Sequence, residues 1–318
     1  MKTFIKKFNL KILYFIILSI VLSGLSLTGY AADLPALILV YDDGYKEDLE
    51  LVFPIHDKYN VPAVAAVNFD YIGKSLWLNQ NELHFLQSKG WEIANHGKKH
   101  AALILNPLIA EASKGDNKFR VKNPFLLEAS YDYIIFNQEK NIKEKISIQK
   151  IISDNGESFV KIEGELLNDY PQNESYLRLD ENSLFEEVIE SRQKLEEMGL
   201  VIDSYIYPYN GYYSLPLELV SKNYIAARAG YRVGEKFPNA FINRKPLEKY
   251  QLKAAALEKN LITEEDIFKL LDETKKAEGL LVFYAHPHAD NFEAARIEKI
   301  IEYALENEIV ITTFRELF

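Results

Sequence analysis

Short apolar runs recur along this chain, each followed by a polar stretch with helical spacing. Leu37-Ile38-Leu39-Val40 is the first of them. Strands are expected at Ala36–Val40, Pro62–Val67 and Trp91–Ala94, with helices between them at Lys46–Tyr59 and Asn79–Lys89. Regular β-α alternation with short connections predicts a parallel sheet covered by helices. The alternation returns near Ser183-Leu184-Phe185-Glu186, which reads as a capping box opening a helix to about Met198, with Gly199 closing it. Strand Ser204–Tyr207, helix Leu215–Lys222 and strand Tyr224–Arg228 follow. After a loop through Arg244, Thr263 caps a helix to Lys276, and Leu280–Tyr284, Asn291–Glu306 and Ile309–Thr312 read as strand, helix and strand. About seven β/α units favour a distorted (β/α)7-type barrel over an open doubly wound sheet. In such a barrel chemistry sits at the carboxyl ends of the strands.

Between Leu105 and Asp180 the period changes. Tyr131–Phe136, Ile146–Ile152 and Ser158–Leu166 are short and β-rich, and Ser158–Glu163 alternates apolar with polar after the turn Asp154-Asn155-Gly156. That is the signature of an antiparallel hairpin with one wet face. The expected organisation is a barrel made of residues 32–104 and 181–318, with a β-rich insertion at 105–180.

The first 31 residues are set apart from the fold. Lys2, Lys6, Lys7 and Lys11 precede an apolar run from about Ile12 to Leu27, and small residues follow at Thr28-Gly29-Tyr30-Ala31-Ala32. This reads as a secretory signal peptide cut after Ala31, which implies a secreted, periplasmic or cell-envelope protein with no stable membrane span after cleavage. Cleavage removes four lysines and no acids, taking the formal charge from −10 to −14. So acidic a chain is a poor partner for nucleic acid or anionic membranes. There is no cysteine, hence no disulfide framework, and a hydrophobic content of 48% must supply the core. The 20 tyrosines and 18 phenylalanines suit both ordinary packing and the stacking of sugar rings.

Chemistry concentrates at the predicted strand ends. Tyr41-Asp42-Asp43-Gly44 places two carboxylates after the first buried strand, and Asn95-His96-Gly97-Lys98-Lys99-His100 offers two imidazoles at i and i+4. One carboxylate with two imidazoles is a sufficient ligand set for a divalent ion, zinc being the default, and it leaves positions open for water and substrate. The other carboxylate is then free to act as a base. His286, following Leu281-Val282-Phe283-Tyr284-Ala285, is a candidate general acid, with His288 as a rival on the same rim. Tyr207-Pro208-Tyr209-Asn210-Gly211 is a turn able to aim a backbone N–H at an oxyanion. His56 and His84 lie in helical stretches and read as surface or packing residues.

These elements, in this order, resemble the NodB-homology polysaccharide deacetylases, carbohydrate esterase family 4. The resemblance spans about Leu34–Ala101 and Ser183–Phe318. It implies Asp42 as general base, Asp43, His96 and His100 as metal ligands, the Tyr209 backbone N–H at the oxyanion and His286 as general acid. The implied substrate is an acetylated glycan. Three departures stand out. Ile206 occupies the place where many members carry an arginine that orients the base, leaving Arg228 or Arg244 as substitutes. The aspartate that supports the acid histidine has no clear equivalent. Gly97 replaces a frequent hydroxyl residue. Three readings follow: a deacetylase acting on an N-acetylated amino-sugar glycan, an O-acetyl esterase acting on xylan-like polymers, and a catalytically weak glycan-binding barrel.

Overall fold

The structure, a computed structural model, describes residues 35–154 and 156–318. The expected signal peptide lies outside them, as does Asn155 of the expected hairpin turn. Among the described residues no helix is long and apolar enough to cross a membrane.

Two sheets organise the chain. Strands β1 (Ala36–Tyr41), β2 (Val64–Val67) and β3 (Glu92–Asn95) belong to the first. Strands β4 (Asn106–Pro107), β5 (Lys118–Phe119), β6 (Asp132–Asn137), β7 (Ile142–Asp154), β8 (Glu157–Ile162) and β9 (Ser175–Leu179) form the second. Strands β10 (Ser204–Ile206), β11 (Ala226–Arg228), β12 (Ile242–Asn243), β13 (Ala255–Ala256), β14 (Leu280–Ala285) and β15 (Val310–Ile311) return to the first. The first sheet runs β11-β10-β3-β2-β1-β14-β12 and is parallel throughout except for β12. Every residue of β1, β2 and β3 is buried, as strands covered on both faces require.

The sheet is curled, and its two edges meet through an irregular segment in place of a regular β/α unit. Residues 249–257 pass between the edge strands: the Ala229 N–H donates to the Leu252 carbonyl (2.8 Å), β13 pairs with β14, and the Leu257 N–H donates to the Tyr284 carbonyl (2.9 Å). About seven β/α units in a distorted barrel were expected. The departure lies at 229–263, which is mostly loop, and at β15, which pairs with β1 over only two positions.

The helices follow from their sequences. Gln80–Ser88 opens with a reciprocal box between Asn79 and Glu82. Glu264–Lys276 is capped by Thr263, with acids in its first turn and lysines in its last, which complements the helix dipole. Ala294–Glu306 buries Ile297, Ile300, Ile301 and Ala304, one stripe at helical spacing. The helix expected to start at a Ser183 cap starts instead at Glu181, because the Asp180 side chain accepts from the Ser183 N–H (2.8 Å). It continues through a π-helical turn, Glu186–Glu190, into Ser191–Glu197.

The second sheet is antiparallel, in the order β4-β9-β6-β7-β8-β5. Its inward residues, among them Ile135, Val160 and Leu177, belong to the same buried cluster as Leu37, Ile93 and Leu281 of the curled sheet. Both sheets therefore pack on one continuous core.

Candidate active site

The carboxyl ends of β1, β3, β10, β11 and β14 converge on one rim. Asp42 and Asp43 leave β1 on a backbone that turns left-handed, with φ of 76° at Asp43 and 66° at Gly44. Aspartate tolerates that region better than most residues. At Gly44 a Cβ would lie 2.8 Å from Val67 Cγ1, so only glycine lets the turn press against β2.

Asp43, His96 and His100 form a cluster whose candidate ligand atoms all lie within 4.8 Å of one another. Asp43 Oδ1 is 3.6 Å from His96 Nε2 and 3.4 Å from His100 Nε2. His96 Nδ1 lies 2.8 Å from the Ile206 carbonyl. A carbonyl only accepts, so Nδ1 carries the proton and Nε2 presents its lone pair to the cluster. Burial lowers the pKa of His96, and burial followed by the neighbouring His96 brings His100 down to about 4. Neutral imidazoles beside a carboxylate are the protonation states a divalent cation needs. The donor set fits such an ion, with zinc among the metals that N/O sets of this kind accept.

Asp42 faces the other way. It is buried, and both its carboxylate oxygens accept from Arg228 Nη2, at 2.7 and 2.5 Å. Arg228 is itself fully buried, also donates to Asn210 Oδ1, and lies with its guanidinium carbon 4.5 Å from the Tyr284 ring centroid. Burial alone would raise the Asp42 pKa. The charge of Arg228, with that of His286 and the Arg228 hydrogen bonds, outweighs it and holds the group below the usual carboxylate value. Arg228 thus fills the place left open by Ile206. Arg244 does not: its guanidinium donates to Asn239 (2.9 Å) and lines a separate cleft with Arg232 and Glu248. The expectation for Arg244 is corrected, since β12 and the loop before it carry that residue away from the rim.

His286 Nε2 stands 4.0 Å from Asp42 Oδ2, while its Nδ1 contacts Glu258 Oε1 at 2.6 Å. Glu258 is buried and also accepts from the His286 backbone N–H (3.2 Å). Burial opposes the imidazolium, but the Glu258 hydrogen bond and the charges of Asp42 and Asp43 prevail, raising the pKa to about 9. His286 is therefore protonated at neutral pH, with Nε2–H facing Asp42. Its rival His288 pairs with no carboxylate among the described residues and stacks on Tyr45 at 3.7 Å.

Tyr209 sits in a tight turn, Pro208–Asn210, with φ of 54°, and its ring packs 4.4 Å from His100. Beside the triad opens a cleft of about 320 Å³, lined by Tyr45, Tyr71 and Trp77 and by Phe125–Glu128 from the antiparallel region. Tyr45, Trp77 and Tyr71 form a row of rings at 4.8 and 5.0 Å spacings. His56 is a packing residue, buried and 2.8 Å from the Tyr41 hydroxyl, and His84 contacts the Met198 carbonyl.

Sequence reading missed Glu258, 28 residues before its partner, because nothing in the short Ala255–Ala256 strand marks the next acid as special. It also missed Asp48, which is buried with neither oxygen hydrogen-bonded among the described residues. Burial, then the charges of Asp43 and Asp42, push its pKa well above the ordinary value.

Comparison with known proteins adds an independent line. No curated protein sequence matches the chain. Among the solved structures that are similar in part are three with TM-scores below 0.5. A polysaccharide deacetylase from Bacillus cereus is 14% identical, with a TM-score of 0.35, over 68% of this chain and 45% of its own. A family 4 acetyl xylan esterase from Clostridium thermocellum, in complex with cobalt, is 12% identical, with a TM-score of 0.48, over 89% of this chain and 90% of its own. A family 4 pseudoenzyme from Bacillus anthracis is 8% identical, with a TM-score of 0.47, over 89% of this chain and 64% of its own. Residues 31–159 match the family model described as polysaccharide deacetylase. The match takes in β1 to β3 and part of the antiparallel sheet, and ends before Tyr209 and His286. Asp42, Asp43, His96 and His100 all lie within the segment that is similar to this family model.

Proposed function

We propose that this chain is an exported, metal-dependent deacetylase that removes N-acetyl groups from an amino-sugar glycan, releasing acetate. One observation carries the reading: a buried Asp42–Arg228 pair and a Glu258-anchored His286 stand on the same rim as the Asp43, His96 and His100 cluster. A binding protein has no use for a base held ionised beside an acid held protonated. The missing arginine that favoured a catalytically weak barrel is supplied by Arg228.

Asp43, His96 and His100 would hold the cation, most simply zinc, which when bound acidifies water and polarises the acetamide carbonyl. Asp42, kept ionised by Arg228, accepts the proton of the attacking water. The Tyr209 backbone N–H donates to the oxygen that gains charge as the carbonyl becomes tetrahedral. His286 Nε2–H then protonates the departing nitrogen, and Glu258 stabilises the charge until that transfer. The ring row Tyr45, Trp77 and Tyr71 offers flat faces on which pyranose rings stack. Export, cleavage after Ala31, and domain boundaries of 32–104 with 181–318 and of 105–180 belong to the same proposal.

The test is acetate release by the zinc-loaded mature protein from chitin oligomers and, in parallel, from acetylated xylan. Release from the first and loss of it in Asp42→Asn, with zinc content unchanged, support the reading. Release from xylan alone turns it into an O-acetyl esterase, and release from neither leaves a binding barrel.

A further inference from the structure

We propose that Glu187 is a positioning residue for the metal-ligand loop, its buried carboxylate fixing the backbone that spaces His96 from His100. The inference rests on the metal-site reading and concerns a residue outside every motif that reading used.

Glu187 is fully buried in the π-helical turn Glu186–Glu190, and among the described residues no lysine or arginine pairs with it. Burying a carboxylate without a cation is unfavourable unless its lone pairs are all engaged. Here they are. Oε1 accepts from the Lys99 N–H (2.7 Å) and the Tyr131 hydroxyl (2.7 Å), and Oε2 accepts from the N–H groups of Lys98 (3.0 Å) and Ala101 (3.4 Å). Three of the four donors are backbone amides bracketing His100. That residue has a φ of 62°, a conformation an ordinary side chain holds only when its surroundings impose it.

Gly97 completes the device. A Cβ there would lie 2.2 Å from Glu187 Oε2, and its φ is +90°. Glycine follows the first ligand histidine because the acid occupies the space a side chain would need. Where a hydroxyl residue could brace such a loop from within, this chain braces it from a helix across the barrel rim. Tyr131, just ahead of β6, ties the antiparallel sheet to the same carboxylate. A π-helical turn shifts the helical register by one residue, and turns of this kind are frequent at functional sites.

A glutamate that only staples helix to loop would raise stability without regard to metal. The two roles separate in a zinc titration of the metal-free full-length chain, read by competition with a chelating dye, together with thermal melts with and without zinc. Glu187→Gln presents an amide N–H to N–H donors. It is expected to weaken zinc binding 10- to 100-fold, the range typical of outer-shell losses, and to shrink the zinc-induced rise in Tm. Tyr131→Phe keeps the three amide bonds and is expected to weaken binding 2- to 10-fold. Equal falls in Tm with and without zinc, at unchanged Kd in both variants, would overturn the inference. If Glu187→Gln does not fold, Tyr131→Phe decides alone by the same criterion. A wild-type chain that binds no zinc overturns the metal reading itself and this inference with it.

Discussion

The loops after β3 and β14 each carry a histidine tethered through Nδ1; both tethers favour the protonated ring, but only the charged one helps to overcome burial. His96 donates to a neutral carbonyl, that of Ile206, and stays a neutral imidazole. His286 meets a buried carboxylate, Glu258, and its pKa rises to about 9. Both rings are substantially buried, so desolvation pushes both the same way; the charge of the acceptor decides the outcome. A neutral anchor leaves a ring suited to ligate, and a charged anchor leaves one suited to donate a proton. The sheet can thus draw two chemistries from one side-chain type on one rim.

The strongest way to break this comparison is to remove each ring. His96→Ala is expected to abolish stoichiometric zinc binding. His286→Ala should leave zinc content near that of the wild type while acetate release falls by about 10²–10⁴-fold. Metal analysis with a single-turnover assay checks both, and loss of zinc in the His286 variant would show that the two loops are not distinct.

Next in size is the partner of the base. Arg228→Lys cannot reproduce a guanidinium shared between Asp42 and Asn210. Breaking this buried pair is expected to cost about 3 kcal/mol of stability in urea unfolding, with acetate release falling as well. A variant as stable as the wild type would mean the buried pair contributes little.

Glu258→Gln sharpens the contrast directly, because it gives His286 the neutral kind of anchor that His96 has. The His286 pKa is then expected to drop from about 9 toward its ordinary value of 6.5, moving the alkaline limb of the rate profile down by at least one unit. An NMR titration of the ring protons follows the pKa itself, and an unmoved titration would remove Glu258 from the explanation.

The smallest effect is on stability against pH. A histidine pKa raised on folding stabilises the fold fully below 6.5, and that contribution is lost as pH rises through about 9. After allowance for the partial exposure of His286, the loss from pH 7 to 10 should be about 1–2 kcal/mol. It should be absent in His286→Gln, compared by urea unfolding at the two pH values.

Local pattern made much of this legible. The strands of the curled sheet are continuous apolar runs, and His96 and His100 share one short loop, so period and spacing were enough to find them. Thr263 could be identified as a cap for the same reason. What escaped detection depends on contacts distant in sequence. Asp180 displaces Ser183 as the cap because two residues three apart compete for one role, and the fold chooses the one whose backbone is extended. Glu258 reaches His286, and Glu187 reaches Lys99, only once the sheet has curled. No periodicity announces either acid. The loop at 229–263 breaks the count of units because it closes the curl by extended chain instead of a helix.

The two tryptophans of the chain occupy different worlds. Trp91 is only 2% exposed in the core, against Tyr41 and His56, whereas Trp77 lines the open cleft beside the triad. Each single Trp→Phe variant would therefore leave one tryptophan, selectively excitable at the red edge of the absorption band, with one job. The remaining Trp77 would report any glycan that enters the cleft, and the remaining Trp91 only the loss of the native core.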